Sequence, residues 1–199
     1  RALRKLNLSV RHQIDSPEVI KSFASSLSKH KSASSLIRTL EITVYESKYL
    51  QDYTTILSLS KKLESFSLTN LAKQRKINDI KTIYSILQGN PSLRKLKIDY
   101  DLGNLDGHDL RYLPGIIKYF KNLEALDFTA QFRENFKSAL FINSLASVLL
   151  SLQKLKSIRL RFYGLGHVST NEIIEVFDSI KKNTLLEKIE ISIPGNRGL

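Results

Sequence analysis

What most constrains this chain is a phrase that returns seven times: a large apolar residue, two others, a second apolar residue, one intervening residue and a third apolar residue. It reads Leu3-x-x-Leu6-x-Leu8, Ile37-x-x-Leu40-x-Ile42, Leu63-x-x-Phe66-x-Leu68, Leu93-x-x-Leu96-x-Ile98, Leu123-x-x-Leu126-x-Phe128, Leu155-x-x-Ile158-x-Leu160 and Leu186-x-x-Ile189-x-Ile191. The starts stand 34, 26, 30, 30, 32 and 31 residues apart. A phrase returning at that interval marks a stacked array in which each copy touches its neighbours, and it directs attention to binding surfaces rather than to catalysis.

Within each phrase the second and third apolar residues are two apart, the period of a strand with one buried face. Between phrases the period changes. Val19, Ile20, Phe23, Ala24 and Leu27 follow helical spacing, as do Leu50, Tyr53, Ile56 and Leu57; so do Ile80, Ile83, Tyr84 and Leu87, and Ile173, Ile174, Val176, Phe177 and Ile180. Residues 110–120 and 140–152 complete the set, the last apolar nearly all round and therefore expected to be wedged between neighbours. Ser16-Pro17-Glu18, Asn78-Asp79 and Thr170-Asn171-Glu172 supply helix openings. One strand and one helix cannot bury both apolar faces alone, so the units must stack. The expected fold is α/β: a single repeat domain over residues 1–199, a solenoid of seven repeats curved into a horseshoe segment. A parallel sheet would line its concave face, with helices on the convex face.

The L-x-x-L-x-L phrase with helical returns resembles the leucine-rich repeat, in its longer, ribonuclease-inhibitor-like class, and the resemblance covers essentially the whole chain. It implies an Asn three residues after the third apolar position, bonding the backbone along a ladder. Those positions hold Arg11, Tyr45, Leu71, Asp101, Gln131, Tyr163 and Pro194, so the ladder is largely missing. The array is divergent. In manner it is similar to the degenerate repeats of fungal F-box proteins and related adaptors, on phrases such as Leu36-Ile37-Arg38-Thr39-Leu40 and Asn90-Pro91-Ser92-Leu93. That resemblance implies a recognition segment of an adaptor or substrate receptor.

Several function classes lack their residues. There is no Cys, which removes structural disulfides and thiolate metal sites and leans the chain toward an intracellular location, cytoplasmic or nuclear. His12, His30, His108 and His167 fall in different repeats, none at ligand spacing, so no metal is expected. Gly164-Leu165-Gly166 lacks the third Gly of a nucleotide fingerprint. The chain has no nucleophile elbow and no phosphate-cradling Gly-rich loop, so no cofactor and no enzymatic activity are expected. No apolar run is long enough to span a bilayer. A start at Arg1 and the lack of any Met read as a piece of a longer chain.

Formal charge is +12, from 31 Lys and Arg against 19 Asp and Glu, which points to acidic protein, nucleic acid or another polyanion. Part of the excess falls near predicted helix ends, at Lys29, Lys31, Lys61, Lys62, Lys118, Lys121, Lys154, Lys181 and Lys182, where cations offset the helix dipole. Two surfaces emerge. On the concave face Lys95, Lys97, Arg159 and Arg161 alternate with the core residues. Tyr100 and Phe162, one residue further along each strand, are expected to stand exposed beside Lys97 and Arg161 as partner anchors; the alternative is that both rings pack over the sheet's edge. On the loops leaving the strands, Lys73, Arg75, Lys76, Arg133 and Lys137 would align into a basic rim for a polyanion. The leading expectation is a non-catalytic protein-binding module whose protein partner docks on the concave face, an acidic partner being compatible with the charge. Nucleic-acid or polyanion binding through the rim is the alternative.

Overall fold

A computed structural model describes residues 4–10, 17–29, 37–44, 50–70, 77–101, 112–132, 139–164 and 169–194. Each phrase becomes a strand: β1 Lys5–Val10, β2 Thr39–Val44, β3 Ser65–Asn70, β4 Lys95–Asp101, β5 Ala125–Gln131, β6 Ser157–Tyr163 and β7 Lys188–Ser192. The described helices are α1 Pro17–Lys29, α2 Leu50–Leu59, α3 Ile77–Gln88, α4 Tyr112–Ile117, α5 Ala139–Ser151 and α6 Thr170–Lys181. The strands follow one another from β1 to β7 in one seven-stranded sheet. By compactness the chain divides into two units, Arg1–Lys97 and Ile98–Leu199.

In the first unit β1, β2 and β3 pair in parallel without slip, so that Leu6, Leu40 and Phe66 share one register position, and Leu8, Ile42 and Leu68 the next. In the second, β5, β6 and β7 do the same with Leu126, Ile158 and Ile189. The period of two is visible in burial: along β2 and β6 every second residue is buried and the residues between are half-exposed. Helices pack on their neighbours in chain order, α1 on α2 and α2 on α3 in one unit, α4 on α5 and α5 on α6 in the other. Helix α5 is the apolar one, and Phe141, Ile142, Leu145, Ala146, Val148 and Leu149 are all buried. Phe128, Phe132, Phe141 and Phe162 form a ring cluster over the sheet, with centroids 5.3–6.4 Å apart.

The turn from helix back to strand is the most regular part of each repeat. The N–H of Ser60, Asn90, Phe120, Leu152 and Asn183 donates to the carbonyl three residues earlier, closing each helix; Leu93, Leu123 and Leu155 then donate to Asn90, Phe120 and Leu152. Side chains tie successive turns together. Asn90 Oδ1 accepts the N–H of Leu63 from the preceding repeat at 3.2 Å. Asn183 donates from Nδ2 to the Leu152 carbonyl at 2.9 Å and accepts the Leu185 N–H at 3.1 Å. Buried asparagines thus bridge repeats at the entrance to the strand. An asparagine satisfies both a donor and an acceptor in a turn that water does not reach.

Helix boundaries differ from expectation in two places. Helix α6 opens one residue early: Ser169 is the N-cap and forms a capping box with Glu172, whose carboxylate accepts the Ser169 N–H at 2.7 Å. Helix α4 stops at Ile117 rather than Phe120, where the Phe120 N–H turns back to the Ile117 carbonyl. Pro114 and Gly115 leave little intrinsic helicity to carry it further. The helix-end cations are also placed differently: only Lys29 and Lys181 sit in a last helical turn. Lys118 directly follows α4 and Lys182 is the C-cap of α6, while Lys61, Lys62, Lys121 and Lys154 lie on the turns beyond, where the dipole effect has fallen off.

Candidate partner-binding face

The strand face opposite the apolar phrase residues carries the charged side chains. In the second unit it is built by register. Asp127, Arg159 and Glu190 occupy the same position on β5, β6 and β7, so an arginine stands between two carboxylates. Arg159 donates from Nε to Glu190 Oε2 at 2.7 Å and from Nη1 to Asp127 Oδ2 at 3.4 Å. Arg161, two residues on, donates from Nε to Glu190 Oε1 at 3.4 Å. The hydrogen bond from Arg159 holds the Glu190 carboxyl below the ordinary carboxylate range, and the same contact raises Arg159 further above its already high value. These side chains remain partly open to solvent. Asp127 Oδ1 and, two residues along β5, Thr129 Oγ1 are buried with no hydrogen-bond partner among the described residues.

Tyr100 and Phe162 correct the sequence reading: each is 1% exposed and belongs to the core. The reason is the period of two. Strands β4 and β6 run on past the phrase to Asp101 and Tyr163, so the residue two beyond Ile98 or Leu160 points to the same buried face as the phrase itself. Tyr163, not Phe162, is the exposed ring at the end of β6. Lys95 and Lys97 are exposed on β4, belong to the first unit, and make no ion pair among the described residues. Arg159 and Arg161 lie in the second unit and are ion-paired. Lys73, Arg75, Lys76, Arg133 and Lys137 all lie outside the described residues.

The sequence analysis singled out Arg159 and Arg161 on this face but not their partners Asp127 and Glu190. The signal was present. Asp127, Arg159 and Glu190 hold the fifth position of consecutive phrases, and parallel strands in register set such residues side by side. The second phrase position behaves likewise, with Arg38 Nη1 at 3.6 Å from Glu64 in the first unit and Lys156 Nζ at 3.2 Å from Glu124 in the second. On β1 and β2, Lys5 Nζ meets Glu41 at 2.9 Å across a diagonal. Among the described residues no group of His, Asp or Glu is arranged to hold a metal ion. No described helix is long and apolar enough to cross a membrane.

A parallel sheet built from a repeated apolar phrase, with a helix after each of its first six strands, is an α/β arrangement that fits the leucine-rich-repeat type of fold. Among solved structures the chain is similar to a tropomodulin C-terminal domain from Caenorhabditis elegans, with a TM-score of 0.53 and 14% identity over 82% of this chain and 92% of that one. At that identity the likeness is one of fold. No known family pattern matches the sequence, and no curated protein does either.

Proposed function

We propose that this chain is a non-catalytic protein-interaction module, a divergent repeat array of the ribonuclease-inhibitor-like class that binds a protein partner on the concave, strand-bearing face. Such a face suits the recognition segment of an intracellular adaptor or F-box-like substrate receptor. The carrying observation is the network of Asp127, Arg159, Glu190 and Arg161, held across three strands in one register and still open to solvent. A rigid sheet fixes its donors and acceptors in space, which gives a partner a directional pattern to match. Arg161 keeps spare donors, since its one contact is long. The experiment is capture of partners on the immobilised chain, comparing Arg161→Glu with Lys61→Glu/Lys62→Glu on the α2–β3 turn. Loss with the first and retention with the second is expected. Equal capture by both removes the strand face from the reading.

A second reading, binding of nucleic acid or another polyanion, is favoured by where the charge lies. Residues 1–97 hold 18 Lys and Arg against 7 acids, a net of +11, while residues 98–199 hold 13 against 12, a net of +1. The surplus is confined to the unit that carries Lys73, Arg75 and Lys76. Binding to heparin or RNA should then fall steeply with salt, because each neutralised phosphate releases counterions. Lys73→Glu/Arg75→Glu/Lys76→Glu should flatten that dependence, and salt-independent binding excludes the reading.

A further inference from the structure

A surface that neither reading uses stands on the turns leading from helix to strand in the second unit. Two of these turns share one backbone: the Leu123 N–H donates to the Phe120 carbonyl, and the Leu155 N–H to the Leu152 carbonyl. The bonded ends are buried, while the residues between them, Lys121-Asn122 and Gln153-Lys154, are exposed. Lys154 donates from Nζ to Asn122 Oδ1 at 2.7 Å, which lays one turn against the next and brings Lys154 to the residue that follows Lys121. Lys118 and Tyr119 lead into the first turn, both exposed, with Lys118 Nζ 5.3 Å from the centre of the Tyr119 ring. Lys181 and Lys182 hold the corresponding places at the end of α6 and are exposed too.

The unit is polarised around these turns. Residues 117–123, 150–155 and 180–186 hold five lysines and no acid. The rest of residues 98–199 holds 8 of the 13 cations and all 12 acids, a net of −4. Among the described residues no acid pairs with Lys118, Lys121, Lys154 or Lys182, and Lys181 meets Asp178 at 3.4 Å. Helix ends account for Lys118, Lys181 and Lys182, whereas Lys121 and Lys154 lie past the reach of the dipole. Folding does not ask for these side chains. Pro91-Ser92 fills the same turn in the fourth repeat, and Gly89 takes the place of Tyr119. The Tyr119 ring is nonetheless 57% exposed between two lysines, in the fifth of seven repeats.

We infer that this lysine edge docks on an anionic membrane surface, with the lysines against phosphate and carboxylate headgroups and the Tyr119 ring at the interface. Three features favour a membrane over other anions. All five cations are lysines, point charges that lack the planar fork with which arginine reads a phosphate in one geometry. They stand on turns that side-chain bonds tie side by side, Lys154 to Asn122 and Asn183 to Leu152, so the tips meet a surface together rather than line a groove that tracks a strand. An exposed tyrosine among lysines joins an amphipathic ring to a basic patch, the two elements of an interfacial anchor. Such attachment is peripheral and needs no membrane-crossing helix. The surface is separate from the strand face and from the loops leaving the strands, so each reading stands or fails by itself.

The test is co-sedimentation of the full chain with vesicles of phosphatidylcholine alone and of a two-to-one mixture with phosphatidylserine. Binding to the mixture alone, falling as salt rises, is expected. Each lysine near such a surface is worth about a fivefold change in partition, so Lys121→Gln/Lys154→Gln should weaken binding about twenty-five-fold. Arg133→Gln/Lys137→Gln removes the same charge past the other end of β5, about 20 Å of strand away, and should change binding less than about twofold. Tyr119→Trp sets a single tryptophan on the edge of a chain that otherwise has none. Its emission should move to the blue with the mixed vesicles, and stay unmoved with neutral ones or when Lys121 and Lys154 are both replaced. No binding, equal binding to both kinds of vesicle, equal losses from the two double variants or an unmoved tryptophan overturns the inference. So does single-stranded RNA that binds where vesicles do not and is lost with Lys121→Gln/Lys154→Gln, since the occupant is then a nucleic acid.

Discussion

The two units use one strand pattern for opposite electrostatic ends. Residues 1–97 carry nearly all of the net charge, and on β4 Lys95 and Lys97 stand exposed and make no ion pair among the described residues. Residues 98–199 are close to neutral, and their strand-face arginines are matched by acids in register. The large apolar residues exposed among the described residues, Tyr119, Tyr163, Ile174, Phe177, Leu185 and Ile189, all lie in the second unit. A repeat therefore fixes where side chains point and leaves open what they recognise. The first unit offers long-range attraction to acidic partners, which salt screens; the strand face of the second offers short-range, directional contacts.

That contrast can be broken most sharply at Phe162. If the second unit's rings are core, Phe162→Ala should cost about 3–5 kcal/mol in urea denaturation. Lys97→Ala on the exposed face of the first unit should stay within about 0.5 kcal/mol. A Phe162→Ala variant of native stability would return that ring to the surface. Next in size is Gly164, which follows β6 at φ +68°, where a Cβ would collide with the carbonyl of Phe132. Gly164→Ala should cost about 1–3 kcal/mol, with the loss read in thermal unfolding. Asn183→Ala should cost a similar or smaller amount, about 1–3 kcal/mol, because it strands the Leu185 N–H and takes one of two donors from the Leu152 carbonyl. Asn90→Ala makes the matching test in the first unit through Leu63.

The smallest expected effect is one of pH. Glu190 has a folded-state pKa below its unfolded value, with the Arg159 hydrogen bond as the chief cause. Its contribution to stability is therefore complete above the ordinary carboxylate range and disappears as pH falls through the depressed value. Urea midpoints measured from neutral pH into the acid range should drop less steeply in Glu190→Gln than in the native chain. Parallel curves would show that the ion network adds nothing to stability.

Much of this was readable from residues, and the exceptions have causes. Seven phrases gave seven strands, and the helical spacings gave α1, α2, α3, α5 and α6 close to their observed places. The aromatics were misplaced because a phrase of three apolar residues says nothing about how far its strand continues. Tyr100 and Phe162 are inward only because β4 and β6 run two residues longer. The absent ladder was legible in the missing Asn, but its replacement was not, since Asn90 and Asn183 act on backbone groups 27 and 31 residues away.

Periodicity alone determined the unit of this protein: a strand that buries alternate residues, then a helix that cannot bury its stripe without a neighbour. It follows from local geometry, which is written into spacing. Tertiary structure decided what stands beside what. Register placed Arg159 between Asp127 and Glu190 and turned two expected anchors into core. Those outcomes depend on which strand lies next and how far it runs, and a side chain's charge or burial is set by neighbours about thirty residues away.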